Sequence, residues 1–176
     1  MTLDVRRHVE PGSESDREAL SDAGVRLAKA LGTGSGAYAI VASSPRAKAR
    51  ETAMAIAGRV DEVISAFDVA SDDVMTNAEY AALRSQESLM AHLGENANAR
   101  AFALGQLSAW SGLASRVPPG AAVLIVTHGA NIELPTVQLA TLLGIALATF
   151  PLGYGEGVSV MYERGELGAI RTIGAG

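Results

Sequence analysis

Ala122-Val123-Leu124-Ile125-Val126-Thr127-His128-Gly129 is the stretch whose reading decides the fold. An unbroken apolar run, rich in β-branched side chains and preceded by the sharp stop Pro118-Pro119-Gly120, reads as a buried strand. A strand that is apolar on both faces belongs in a parallel sheet with helices on both sides. The run stops at a histidine, and ligands of α/β proteins collect at the carboxyl ends of strands. His128 is therefore a first candidate for chemistry.

Working outward, two more strand ends stand out. Leu3-Asp4-Val5-Arg6-Arg7 alternates weakly as a short strand and stops at His8. Tyr38-Ala39-Ile40-Val41-Ala42 reads as a second buried strand, ending at Ser43-Ser44-Pro45. Pro11 to Asp16 is a loop by its turn chemistry, and Asp16 is expected to open a helix through Leu31. The glycines from Gly32 to Gly36 make a connector; they do not form a nucleotide-binding loop. A second helix is expected from Arg46 to Val60, and a short strand over Glu62 to Ala66. Asn77 is read as the cap of a helical region that runs to Val117 with a break near Gly94. Asn131 to about Gly144 is helical again. Val158 to Tyr162 and Ala169 to Ile173 close the chain as a hairpin across Arg164-Gly165-Glu166. The order β-α-β-α-β-α-α-β-α-β-β predicts an α/β fold. It is a three-layer α/β/α sandwich with a central, mostly parallel sheet, spanning residues 1–176 as one domain.

Composition narrows the function classes. The 176 residues are 48% hydrophobic and 19% charged, with a formal net charge of −5. That balance argues against broad nucleic-acid binding, which depends on Lys and Arg neutralising phosphates. The chain has no cysteine, which excludes disulfides, thiol nucleophiles and thiolate metal sites. Leu134 to Leu152 carries no charge, yet Pro135, Gln138, Gly144 and Pro151 interrupt it and no Lys or Arg flanks it. It reads as a buried helix followed by a loop, so no membrane association is expected. Met1-Thr2-Leu3-Asp4 lacks the charged-then-apolar pattern of a secretory signal, making a cytoplasmic location the expectation.

The three strand ends, Arg7-His8, Ser44-Pro45 and Thr127-His128-Gly129, can meet at one edge of a parallel sheet. Arg46, Lys48 and Arg50 follow the second, on the first turns of a helix whose free N–H groups already favour anions. Taken singly, each feature has a plainer reading: a histidine that only hydrogen-bonds, or a solvated basic helix face. Zinc could use His8, Glu10 and His128, but short ligand spacings are missing, so no metal is expected. His92 lies away from any motif and reads as a surface or packing residue, and Trp110 as a packing anchor.

In combination these segments resemble the histidine phosphatase superfamily, the phosphoglycerate-mutase-like group. Arg7-His8-Val9-Glu10 is similar to its Arg-His-Gly-Glu signature, with Val in place of Gly. Leu20-Ser21-Asp22-Ala23-Gly24 resembles the Leu-Thr-x-x-Gly segment that follows, and Ser44 to Ala53 resembles Ser-Pro-x-x-Arg-Ala-x-x-Thr-Ala, with Lys48 at the arginine position. Val126-Thr127-His128-Gly129 matches the second-histidine motif. The short chain is most like the small bacterial phosphohistidine-phosphatase-like members.

The resemblance implies a cofactor-free, metal-independent phosphatase in which His8 attacks phosphorus and forms a phosphohistidine that water hydrolyses. Arg7, Lys48, His128 and the Gly129 backbone would hold the phosphoryl oxygens. The leaving-group acid would come from Asp68, Asp72, Asp73 or Glu79, with Asp72 and Asp73 preferred. The substrate would be a small phosphate ester, a phosphohistidine or another phosphoprotein group; no nucleic acid is expected. A mutase is disfavoured because long insertions are absent. The alternative from a different class is a phosphate-binding or interaction protein that keeps the pocket without catalytic rate.

Overall fold

Strand β4 (Ala122–Thr127) lies between β1 (Thr2–Arg7) and β2 (Ile40–Ser43) and runs parallel to both. The computed structural model describes residues 1–13, 19–34, 36–147 and 150–175. A two-residue strand, β3 (Glu62–Val63), extends the parallel set beyond β2. On the other side, β5 (Gly157–Glu163) pairs antiparallel with β1, and β6 (Glu166–Ile173) pairs antiparallel with β5. The sheet order is therefore β3-β2-β4-β1-β5-β6. This is the mostly parallel α/β sheet expected from the sequence.

The apolar run of β4 is continuous because both of its faces are covered. Leu124 and Val126 pack with Val41, Ala28, Ala49 and Ala53, under α1 (Asp22–Thr33) and α2 (Ala47–Ala57). Val123 and Ile125 point the other way, toward Trp110, Leu113 and Ile132 of α5 (Ala97–Ala114) and α6 (Gly129–Leu143). The weak alternation of β1 has the same cause. Leu3 and Val5 join the α5/α6 side with no exposure. Asp4 accepts a hydrogen bond from the Tyr38 hydroxyl at 3.1 Å, and Arg6 donates to the Gly155 carbonyl at 2.7 Å.

Several boundaries differ from the sequence expectation. Asp16 lies outside the described residues; Leu20 makes an isolated bridge to Pro11, and α1 starts after the cap Ser21, whose hydroxyl accepts from Gly24 N–H at 2.9 Å. The short strand stops at Val63, and Ser65–Phe67 forms a 3-10 turn. The long helical region is three helices, α3 (Asn77–Ala82), α4 (Gln86–Glu95) and α5, not two. Thr76, rather than Asn77, caps the first of them, in a reciprocal box with Glu79. Asn96 accepts from Ala99 N–H and so starts α5 just past Gly94. Helices α3 and α4 pack through Leu89, Leu93 and Tyr80 onto Leu134 and Val137 of α6, forming a separate apolar cluster. No helix among the described residues is long and apolar enough to cross a membrane.

The β5–β6 hairpin turns through Arg164 (φ 55°) and Gly165 (φ 89°). Two successive left-handed residues suit this tight turn, and Asn accepts the first position more readily than Arg. Arg164→Asn should raise stability by about 0.5 kcal/mol, seen as a higher urea midpoint with an unchanged m value; a lower midpoint contradicts this account of the turn.

Candidate functional site

The parallel ladder continues one step beyond the strands. His8 N–H donates to the Thr127 carbonyl at 2.9 Å, and Ser44 N–H donates to the Val126 carbonyl at 2.9 Å. Because β4 sits between β1 and β2, these bonds hold His8, Ser44 and His128 at the same edge of the sheet. The two imidazoles are almost fully buried and meet edge to face, with ring centroids 5.3 Å apart.

The hydrogen bonds of His8 determine which ring nitrogen carries its lone pair. Nδ1 lies 2.7 Å from the Val9 carbonyl, which can only accept, so Nδ1–H is the donor and Nε2 is unprotonated. Burial disfavours the imidazolium and, with Lys48 and Arg7 nearby, lowers the His8 pKa to about 4, against the opposing pull of the Val9 carbonyl. Burial likewise lowers His128 to about 3, helped by His8 and Lys48 and opposed by Asp68. Both rings are neutral at pH 7. His128 Nε2 lies 2.8 Å from the Ser44 hydroxyl, whose oxygen also accepts from Arg46 N–H at 3.2 Å.

The residue beside the nucleophile candidate explains itself locally. Val9 N–H donates to the Thr52 hydroxyl at 3.2 Å, and Thr52 in turn donates to the Lys48 carbonyl at 2.7 Å. The valine side chain is completely buried in the cluster beneath α1 and α2. Glu10 accepts from the Ser21 hydroxyl at 2.9 Å, anchoring the start of α1 rather than facing the histidines. Gly24 must be small because a Cβ there would run into the Glu10 carbonyl.

Three cations follow the sequence expectation to different places. Arg46 pairs with Asp68 at 2.7 Å. Arg50 lines a groove of about 820 Å³ with Lys29, Glu51 and Met54, on the flank of α1 and α2. That groove contains neither histidine. Lys48 is the cation whose field reaches both imidazoles. Arg7 donates to the Leu152 carbonyl at 2.6 Å, and its guanidinium lies 4.6 Å from the ring centre of Tyr154 and 5.8 Å from that of Tyr80. Tyr154 itself lies 5.6 Å from the His8 ring, forming a roof.

Asp72 and Asp73 are not brought to the histidines. They stand on the exposed turn before α3, and Asp73 shares a surface groove with Glu79, His92 and Glu95. The carboxylate that acts on His128 is Asp68. Burial would raise its pKa, but hydrogen bonds from Arg46 and Val69 N–H prevail and hold it below the usual value. Gly129 has a steric reason of its own: a Cβ there would overlap the Tyr80 hydroxyl. His92 donates to the Val74 carbonyl at 2.8 Å, Trp110 is fully buried, and Glu156 accepts from Gly153 N–H in a turn. Among the described residues no three His, Asp or Glu side chains converge as metal ligands would.

Sequence reasoning did not find Tyr80, Tyr154 or Glu133. Glu133 left one signal, since it is the single charged residue of α6. The tyrosines left none, because they reach Arg7 from α3 and from the loop before β5, segments without any motif.

No protein-family model matches the chain, and no curated sequence matches it either. Solved structures do. A phosphoglycerate mutase from Bacillus anthracis superposes with a TM-score of 0.68 at 17% identity, over 98% of this chain and 92% of that one. A phosphoserine phosphatase from Entamoeba histolytica, in complex with 3-phosphoglyceric acid, gives 0.61 at 16% identity over 99% and 98%. An alpha-ribazole phosphatase from Shigella flexneri gives 0.55 at 16% identity over 95% and 93%. At such identities the likeness is one of architecture, and it extends over nearly the whole chain: this protein has the phosphoglycerate-mutase-like fold.

Proposed function

We propose that this protein is a metal-independent histidine phosphatase acting on a phosphomonoester or a phosphohistidine. The observation that carries the reading is His8: a buried, neutral imidazole with Nδ1–H committed to a carbonyl, its Nε2 lone pair unprotonated, and cations beside it. In the first step Nε2 attacks phosphorus in line, a P–N bond forms, and the bond to the leaving group breaks. Water then attacks the same phosphorus, the P–N bond breaks, and the lone pair returns to Nε2 as phosphate departs. Arg7 and Lys48 supply positive charge to the non-bridging oxygens, which is the main demand of phosphoryl transfer. His128 lies beside His8 with Nε2 against the Ser44 hydroxyl, and either neutral tautomer carries one ring N–H. The solved structures of similar fold include enzymes named for phosphoserine and alpha-ribazole chemistry, which fits a phosphorylated substrate.

Leaving-group chemistry narrows the substrate. Asp68 is held ionised by Arg46, and Asp72 and Asp73 stand on the exposed turn, so none enters the scheme as an acid poised over His8. The site therefore favours groups that depart with little help, such as aryl phosphates or phosphohistidine, over simple alkyl phosphates. A phosphate-binding protein without turnover is the reading that competes, and one experiment separates the two. Metal-free protein should hydrolyse p-nitrophenyl phosphate at least tenfold faster than glycerol phosphate, and His8→Ala should abolish both. Equal, negligible rates for wild type and His8→Ala across phosphorylated substrates would leave only the binder.

The Lys48 ammonium has no hydrogen bond or ion pair among the described residues, which leaves it available to an incoming anion. Lys48→Met should lower kcat/KM by on the order of 10²-fold, as losing one charge-stabilising donor does. A change of less than threefold would remove Lys48 from the scheme.

The depressed histidines also set a pH dependence. Between pH 4 and 6.5 the unfolded chain binds a proton at position 8 that the folded chain refuses, so stability falls as pH drops through that window. At pH 5 the loss from His8 alone is roughly 2 kcal/mol relative to pH 7. Thermal unfolding of wild type should shift down between pH 7 and 5, and His8→Ala should shift less; equal shifts would contradict a buried, neutral His8.

A further inference from the structure

Among the described residues, the most deeply buried ionisable group lies outside the scheme above. Glu133, on α6, has no exposed surface. Its Oε1 accepts from Leu152 N–H at 2.7 Å and from the Tyr80 hydroxyl at 3.2 Å. Each of those partners touches Arg7: the Leu152 carbonyl accepts from its Nη1 at 2.6 Å, and the Tyr80 ring lies 5.8 Å from its guanidinium carbon. One oxygen thus joins α6, α3 and the loop before β5, and all three meet at the arginine beside His8.

We propose that Glu133 is a positioning residue for phosphate, whose Oε1 fixes Arg7 through Leu152 and Tyr80. This rests on the reading of His8 and Arg7 as a phosphate site. Arg7 is already held on one side by the Leu152 carbonyl, while its Nε is buried and has no hydrogen-bond partner among the described residues. A guanidinium gripped at one nitrogen is aimed, and its other donors are kept for an anion. The direction of that aim depends on where the Leu152 peptide lies, and Glu133 holds the N–H of that same residue. Burial raises the pKa of the carboxyl, with Leu152 N–H, Arg7, Tyr80 and Arg84 pulling the other way. A carboxyl oxygen and an amide oxygen both accept from the Leu152 N–H and the Tyr80 hydroxyl at the Oε1 position, so the role is geometric rather than one of charge.

The test compares three substitutions by two readouts: titration of inorganic phosphate into isotope-labelled protein followed by NMR, and kcat/KM for p-nitrophenyl phosphate. Glu133→Gln keeps the acceptor at the same reach and should stay within threefold of wild type in both. Glu133→Met removes the acceptor and should weaken phosphate binding at least tenfold, with kcat/KM falling at least as much. Glu133→Asp keeps the carboxyl but shortens the reach; it should behave like Met, and it keeps the test open if Met folds poorly. Wild-type affinity in Asp or Met, or a tenfold loss in Gln, overturns the proposal while His8-dependent turnover stands. A wild-type protein with neither His8-dependent turnover nor phosphate binding overturns the phosphatase reading, and the role of Glu133 with it.

Discussion

The insertion of β4 between β1 and β2 is the constraint on which the rest depends. The chain makes β1 and β2 first, with α1 crossing between them, and leaves a gap that β4 fills much later. Only then do the His8 and Ser44 N–H groups find their carbonyls on Thr127 and Val126. Parallel strands end at the same edge, so the three motif segments meet without any of them being adjacent in sequence. The continuous apolar run of β4 is what makes that central place stable, since a strand covered on both faces has no side to turn to water.

Electrostatics follow from the same burial. Two imidazoles removed from water and set near Lys48 and Arg7 resist protonation, so each ring keeps an unprotonated nitrogen. Nearby carboxylates are kept from cancelling the cations. Asp68 is spent on Arg46, Glu10 on the cap of α1, and Glu133 reaches the guanidinium only through a peptide and a phenol. The region at His8 is therefore positive at close range even though the chain as a whole is acidic.

Much of the frame was legible in the sequence because apolar runs and their stops encode it directly. The β4 run, the Ser44-Pro45 turn, the His128 strand end and the closing hairpin each depend on neighbours in the chain. What depends on distant neighbours was not legible. Val9 sits where the resembled signature has glycine, and its fit comes from a pocket beneath α1 and α2 that local sequence does not describe. Helix α1 starts later than its sequence suggests because Ser21 caps it, a signal that the acidic sequence before it obscures. Asp72 and Asp73 are the acids that the sequence favours in that stretch; the Thr76 capping box fixes where α3 begins, and they are left on the exposed turn ahead of it.

The grip on the loop before β5 has a consequence for how a substrate arrives. Arg6 donates to Gly155, Arg7 to Leu152, and Gly155 N–H returns to the Arg7 carbonyl, so the roof over His8 is tied to β1 from both sides of the strand. A cover so anchored cannot swing aside without loosening the strand that ends at His8. Helices α3 and α4, in contrast, rest on α6 through their own apolar cluster. The cluster beneath that module contains no residue of the sheet, whose strand ends keep their register through β4. Tyr80 is the point at which that module touches Arg7 and Glu133, so a change in its helices reaches the strand ends through that ring.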